Sequence, residues 1–222
     1  MSDDQPSPKE RPAPPASIRV IGQGATRLIA RWPAAGRVLR RPMRRFFDRL
    51  APEWDERIRP DSPEHLAPLS AALDSIETIP RRALDIGTGT GAAALMIARR
   101  FEGAEVAGID ISPRMIEAAR AKVPAELADR VDFSLGDAGS LPFGRESFDL
   151  VVQVSVPVFF DEIARVLRPG GYIAVISSLG PQTPFHTPAA VVSQGFAERG
   201  VVKVAEGAVG RGTFFLGRLA NR

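Results

Sequence analysis

From residue 82 onward, short apolar runs alternate with stretches of helical spacing. "ALDIG" (83–87), "EVAGID" (105–110), "VDFSLGD" (131–137), "FDLVVQVS" (148–155) and "YIAVISS" (172–178) read as strands. Between them, "AAALMIARRF" (92–101) and "FFDEIARVL" (159–167) carry a helical period. So does a segment capped by Ser112 and opened by Pro113, running to about Lys122. A turn, "RPGG", precedes the fifth strand, and Pro188 opens a further helix, "PAAVVSQGFAERG", closed by Gly200. The last two strands, "VVKVAE" (201–206) and "GTFFLGRL" (212–219), are joined by "GAVGR" alone. That link is too short for a crossover, so they must form an antiparallel hairpin. Continuous apolar strands alternating with helices predict an α/β, doubly wound seven-stranded sheet, mostly parallel with an antiparallel last strand.

Upstream, the spacing predicts a helix over 62–77, with Ser62 as N-cap, Pro63 in the first turn, and Leu66, Leu69, Leu73 and Ile76 on one face. Residues 26–60 carry an apolar stripe that includes Leu28, Val38, Phe46, Phe47 and Trp54, and Pro33, Pro42 and Pro52 are expected to divide it into short helices. Residues 1–16 hold five prolines and few large apolar side chains, and are expected to be a disordered tail. The expected organisation is a tail (1–16), a basic helical N-terminal cap (17–80) and a ligand-binding domain (81–222).

Composition narrows the chemistry. The 222 residues are 44% hydrophobic and 25% charged, enough for one domain with a sizeable core plus an appendage. With no cysteine there is neither a disulfide nor a thiolate site, and His65 and His186 are too far apart for a local metal motif. No metal is expected. No apolar run approaches membrane-spanning length, and the acidic, proline-rich start is unlike a signal peptide, so a cytoplasmic location is the expectation. The net charge of +3 is unevenly spread: residues 1–60 hold 13 basic and 7 acidic side chains, and the rest 16 and 19. Nine arginines lie between Arg19 and Arg49 against one acid, Asp48. Such a stripe suits an anionic substrate, a membrane surface or RNA, or is simply a solvated face. No nucleic-acid motif or stacking platform accompanies it, which ranks peripheral membrane contact above nucleic acid.

The candidate site is the loop "LDIGTGTG" (84–91). In a doubly wound sheet, the first strand–loop–helix unit is the usual ligand cradle. Gly87, Gly89 and Ala92 satisfy the weak dinucleotide pattern G-x-G-x-x-A. Asp85 argues against it, because a carboxylate beside a pyrophosphate is repelled in a partly desolvated site. The same carboxylate favours a ligand with an ammonium, a sulfonium and no phosphate, which describes S-adenosylmethionine.

Five segments occur in a familiar order: "LDIGTGTG", "VAGIDIS" (106–112), "GDAGSLPF" (136–143), "FDLVV" (148–152) and "RVLRPGGYIAVI" (165–176). Together they resemble the class I S-adenosylmethionine-dependent methyltransferases, in particular the small-molecule, quinone-biosynthesis-like group, over roughly residues 45–220. The resemblance implies a Rossmann-like fold with S-adenosylmethionine as cofactor and a small-molecule methyl acceptor, a lipophilic or aromatic metabolite being the favoured kind. It implies that Asp85 and the loop Gly87, Thr88, Gly89 and Gly91 approach the methionine part. Asp110 would accept the ribose hydroxyls, Ile111 and Met115 would pack by the adenine, and Asp137 with Ala138 would meet its amine. Gln153 would lie near the methyl group, and Trp54, in "APEWD", would close over the cofactor. The chain departs from the family between "FDLVV" and "RVLRPGG", where only "QVSVPVFFDEIA" intervenes, and it offers no clear general base. Two alternatives stand beside methyl transfer to a small molecule: an S-adenosylmethionine-binding protein without catalysis, and an RNA methyltransferase using the basic arm. Because the segment after strand four is short, the N-terminal stripe is expected to fold across the carboxyl end of the sheet, burying Phe46, Phe47 and Trp54.

Overall fold

The computed structural model describes residues 16–31 and 35–221. The expected disordered tail, apart from Ala16, and the break at Pro33 lie outside them. Helices α1 (Ala16–Arg31), α2 (Ala35–Leu50), α3 (Trp54–Ile58) and α4 (Pro63–Asp74) precede β1 (Arg82–Ile86). There follow α5 (Ala92–Arg100), β2 (Glu105–Asp110), α6 (Pro113–Ala121), β3 (Val131–Leu135), β4 (Phe148–Val154) and α7 (Phe160–Val166). The chain closes with β5 (Leu167–Ser177), α8 (Ala189–Ala197), β6 (Val201–Val209) and β7 (Gly212–Leu219).

The seven strands form one sheet in the order β3-β2-β1-β4-β5-β7-β6. All pairings among the first five strands are parallel, while β7 runs antiparallel to both β5 and β6. The strand order reverses between β1 and β4, so the crevice of this sheet lies beyond their carboxyl ends. Alternate strand residues feed two cores. One buries Ala83, Val106, Phe133, Leu150 and Ala174 under α4, α5 and α6, and the other buries Leu84, Ile109, Val151, Ile173 and Val175 under α7 and α8. Fully apolar strands follow from burial on both faces.

Ser62 caps α4 by accepting from the His65 amide at 3.2 Å, and Ser112 caps α6 by accepting from Met115 at 3.2 Å. Two expectations are corrected. Pro42 does not break the stripe, because α2 runs through it. The carbonyl it leaves unbonded belongs to Val38, a residue 77% exposed, where water can replace the lost helical donor. Nor is "RPGG" a separate turn: β5 begins at Leu167, and a register shift opposite Phe148 and Leu150 absorbs Gly170, whose φ is +76°. Among the described residues, no helix is long and apolar enough to cross a membrane.

Candidate functional site

At the end of β1 the backbone turns through three left-handed glycines, Gly87 (φ +69°), Gly89 (+55°) and Gly91 (+90°), a path closed to most side chains. Close approach explains two of them further. A Cβ on Gly87 would lie 2.4 Å from Val156, and one on Gly91 would lie 2.7 Å from the Phe133 ring. The loop is tied to β2 by the Thr88 amide, which donates to the Ile109 carbonyl at 2.9 Å.

Asp85 is 1% exposed and accepts a 2.6 Å bond from the Thr88 hydroxyl. Desolvation pushes its pKa up to about 7, against the lowering effect of Thr88 and the Ala94 amide, and nearby Asp110 pushes the same way as burial. Asp110, half-buried at the end of β2, takes the Gly89 amide on one oxygen (3.0 Å) and the Ser112 amide on the other (2.8 Å). Burial raises its pKa, the amides of Ser112, Gly89 and Ile111 hold it down, and Asp48 adds a further upward push. The carboxylate retains acceptor capacity for an incoming hydroxyl.

Ile111 lines a recess of about 80 Å³ together with Arg40, Arg44, Leu135 and Gly136. Met115 is buried behind it, in the first turn of α6. On the loop after β3, Asp137 accepts from the Gly139 amide at 2.9 Å and lies 3.5 Å from Arg40, with Ala138 packed beside the second core. Gln153, 1% exposed in β4, donates to the Val156 carbonyl at 3.2 Å, and its Oε1 has no hydrogen-bond partner among the described residues. A buried, unsatisfied acceptor beside the glycine loop is the kind of group a ligand completes.

The N-terminal helices close this edge. Trp54 stands over the loop, its Nε1 3.6 Å from where a Cβ on Gly89 would lie, and packs edge-on against Phe47 at 5.9 Å. Asp55 accepts from the Thr90 hydroxyl (2.7 Å) and pairs with Lys122, and Asp48 accepts from the Ser112 hydroxyl (2.6 Å). On α1, Gln23 donates to the Pro181 carbonyl at 2.8 Å. Phe47 meets Phe185 at 6.0 Å. The stripe thus crosses the carboxyl end of the sheet, but the expected burial is incomplete: Phe47 and Trp54 are half-buried and Phe46 is exposed. That ring is 39% exposed, because it sits on the border of the outward face of α2.

Sequence reasoning passed over Asp48 as a site residue and reached Asp55 only as part of "APEWD". The signal for Asp48 was present, since it is the single acid in the arginine run. Also missed was a polar cluster at the ends of β4 and β5. Ser177 shares a 3.2 Å hydrogen bond with His186 Nδ1, and Ser178 shares one of 3.0 Å with His65 Nε2. Ser155 between them adopts φ +57°, rare for a residue with a side chain. Burial pushes the His186 pKa down, which favours the neutral imidazole. Among the described residues, no group of three or more metal-ligating side chains occurs. A groove of about 480 Å³, lined by Arg145, Glu162, Arg165, Arg199 and Asn221, lies at the amino ends of the parallel strands, away from the loop.

A glycine loop at the switch point, an acid closing each of the first two strands and an antiparallel seventh strand define the class I methyltransferase fold. The comparisons agree. The family model of the methyltransferase domain matches residues 83–171. Over 109 residues the chain is 41% identical to a demethylmenaquinone methyltransferase of Thermus thermophilus, a match covering 46% of this chain and 49% of that protein. It is 34% identical over 151 residues to a ubiquinone/menaquinone biosynthesis C-methyltransferase of Syntrophotalea carbinolica, covering 64% and 63%. A solved S-adenosylmethionine-dependent methyltransferase of Aquifex aeolicus superposes with a TM-score of 0.61 at 20% identity, over 73% of this chain and 96% of that one. The chain spans about half to just under two thirds of these curated relatives' length. Over these stretches the chain is similar to the methyltransferase domain and to two methyltransferases named for quinones, and it shares the fold of the class I methyltransferases.

Proposed function

We propose that this protein transfers a methyl group from S-adenosylmethionine to a small molecule, with a lipophilic or aromatic acceptor as the favoured kind. The observation that carries the reading is the pair of acids on one glycine cradle: Asp85 buried beneath the loop and Asp110 at its rim, joined through Thr88 and Gly89. A dinucleotide would bring its pyrophosphate onto that negative charge, whereas a ligand with an ammonium, a ribose diol and no phosphate is matched by it. The two curated relatives act, by their names, in quinone biosynthesis, which supports a lipophilic aromatic acceptor.

In this reading the amides of Gly87, Thr88, Gly89 and Gly91 and the Asp85 carboxylate hold the methionine end. Asp110 takes the ribose hydroxyls, Ile111 and Met115 flank the adenine, and Asp137 with the Ala138 backbone takes its amine. Gln153 Oε1 completes its hydrogen bonding toward the cofactor, and Trp54 shields the loop from water. Bound S-adenosylmethionine supplies a methyl group on an electrophilic sulfonium. What the protein adds is alignment of an acceptor atom beside the ends of β4 and β5, where orientation alone supplies a large part of the acceleration. His186, whose pKa burial pushes down toward the neutral form, is one group on that side able to take a proton.

Titration calorimetry tests the donor. S-adenosylmethionine or S-adenosylhomocysteine is expected to bind and NAD not to bind; tighter binding of NAD would overturn the reading.

A further inference from the structure

The outward face of α2 is not explained by anything the cleft requires. Leu39, Met43, Phe47 and Leu50 turn inward and are half-buried, while Arg40 and Arg44 face Asp137, Asp48 and the small recess. The opposite face carries Val38, Arg41, Pro42, Arg45 and Arg49, with Phe46 at its border. Of these, Val38 is 77% and Phe46 39% exposed. Arg41, Arg45 and Arg49 are exposed and make no ion pair among the described residues, in contrast to Arg40 and Arg44. Helix α1, packed beside α2, adds exposed Val20 and Leu28, about two turns apart along the helix.

A face that mixes exposed aliphatic and aromatic side chains with guanidinium groups that have no ion pair among the described residues is poorly served by water. We propose that α2, with the exposed edge of α1, docks on an anionic lipid surface. Guanidinium groups of Arg41, Arg45 and Arg49 would pair with lipid phosphates, for which their planar donor fork is suited. Val38, Pro42 and Phe46 would enter the headgroup–acyl boundary, as on helices that lie in the membrane plane. A nucleic acid would use the arginines but leave Val38, Phe46, Val20 and Leu28 without a role, so the lipid surface accounts for more of the face. Docking of this kind does not depend on methyl transfer. If that reading holds as well, α2 spans the mouth of the cleft, and a lipophilic acceptor would meet the site at the bilayer rather than through water.

The full chain is tested by co-sedimentation with vesicles of phosphatidylcholine alone and with about 30% phosphatidylglycerol. Binding is expected to the anionic vesicles only, weakened but not abolished by about 0.5 M salt, because the apolar insertion is not screened. The triple variant Arg41→Glu, Arg45→Glu, Arg49→Glu is expected to lose roughly 100-fold in partitioning. Val38→Ser with Phe46→Ser should remove the salt-resistant part. Unchanged circular dichroism of both variants shows that folding is not the cause, and unchanged S-adenosylhomocysteine affinity separates docking from the cleft. Absence of binding to anionic vesicles, equal binding by a folded triple variant, or a stronger arginine-dependent affinity for single-stranded RNA than for vesicles would each overturn the proposal.

Discussion

Asp85 sits at the end of β1 with the Thr88 hydroxyl on one oxygen, and desolvation pushes its pKa up to about 7 from an ordinary 3.8. The folded protein therefore keeps a proton that the unfolded chain gives up, and stability from this group falls as pH rises from about 4 through about 7, then levels. His186, pushed down by burial, acts in the opposite sense, costing stability as pH falls below its unfolded value. The stability difference between the wild type and Asp85→Asn isolates the acid: it should change across that window and flatten beyond it, measured by urea unfolding. Constant difference across the window would place the titration elsewhere. A ligand ammonium held at Asp85 reverses the preference, because it favours the ionised acid. Affinity for S-adenosylhomocysteine should accordingly rise with pH through about 7 in the wild type and not in Asp85→Asn. Asp110→Ala removes charged hydrogen bonding at the rim and should weaken the same ligand by about 1.5–3 kcal/mol. Unaltered affinity would mean that the ribose is held by another group.

Elements position these residues through close approaches that only small side chains permit. Gly108 in β2 is in ordinary strand conformation, yet a Cβ there would lie 2.5 Å from the Phe133 ring and 2.8 Å from Thr88 Oγ1. The same ring fills the space left by Gly91, so Phe133 sets the distance between β2 and the loop. Gly108→Ala should cost about 1–3 kcal/mol by overpacking, and Phe133→Leu in the same chain should recover part of it. Loss of stability without recovery would place the strain at Thr88 instead. Such packing explains what was legible in advance. Apolar runs such as "FDLVV" and "YIAVI" announce doubly buried strands, and Ser62 and Ser112 announce helix starts, because both signals are local. The bulge that absorbs "RPGG" depends on pairing with β4, and the tolerance of Pro42 depends on which side of α2 meets water, so neither is written in the local pattern. Likewise, Asp85 and Asp110 follow from their places beside a glycine loop. The bonds from Asp48 to Ser112 and from Asp55 to Thr90 join positions 64 and 35 residues apart, and the serine–histidine pairs at the end of β5 include one spanning 113. Contacts of that separation leave no periodic trace.

At the scale of the molecule, charge is divided between a basic N-terminal region and a mildly acidic remainder, yet the contacts that hold them together use acids of the basic part. Asp48 and Asp55 accept from hydroxyls of the two loops that follow β2 and β1, and Asp55 also pairs with Lys122. Arg40 faces Asp137 on the third loop. All three loops that would surround the cofactor are therefore tied to the crossing helices, although the segment after β4 is short. The Asp48 contact opposes itself in one respect, because its charge lies close enough to Asp110 to raise the pKa of that acid. Substituting both latch acids, Asp48→Ala with Asp55→Ala, should free the helices while leaving the sheet intact, since neither contributes to either core. Amide exchange across residues 88–91 and 111–115 should then quicken by roughly 10- to 100-fold, as expected when two side-chain hydrogen bonds are lost. Exchange in β4 and β5 should hold steady. S-adenosylhomocysteine should also leave faster, because Trp54 no longer stays over Gly89. A folded double variant with wild-type exchange at both loops would show that aromatic packing of Phe47 on Trp54 and Phe185, rather than the two acids, keeps the helices on the cleft.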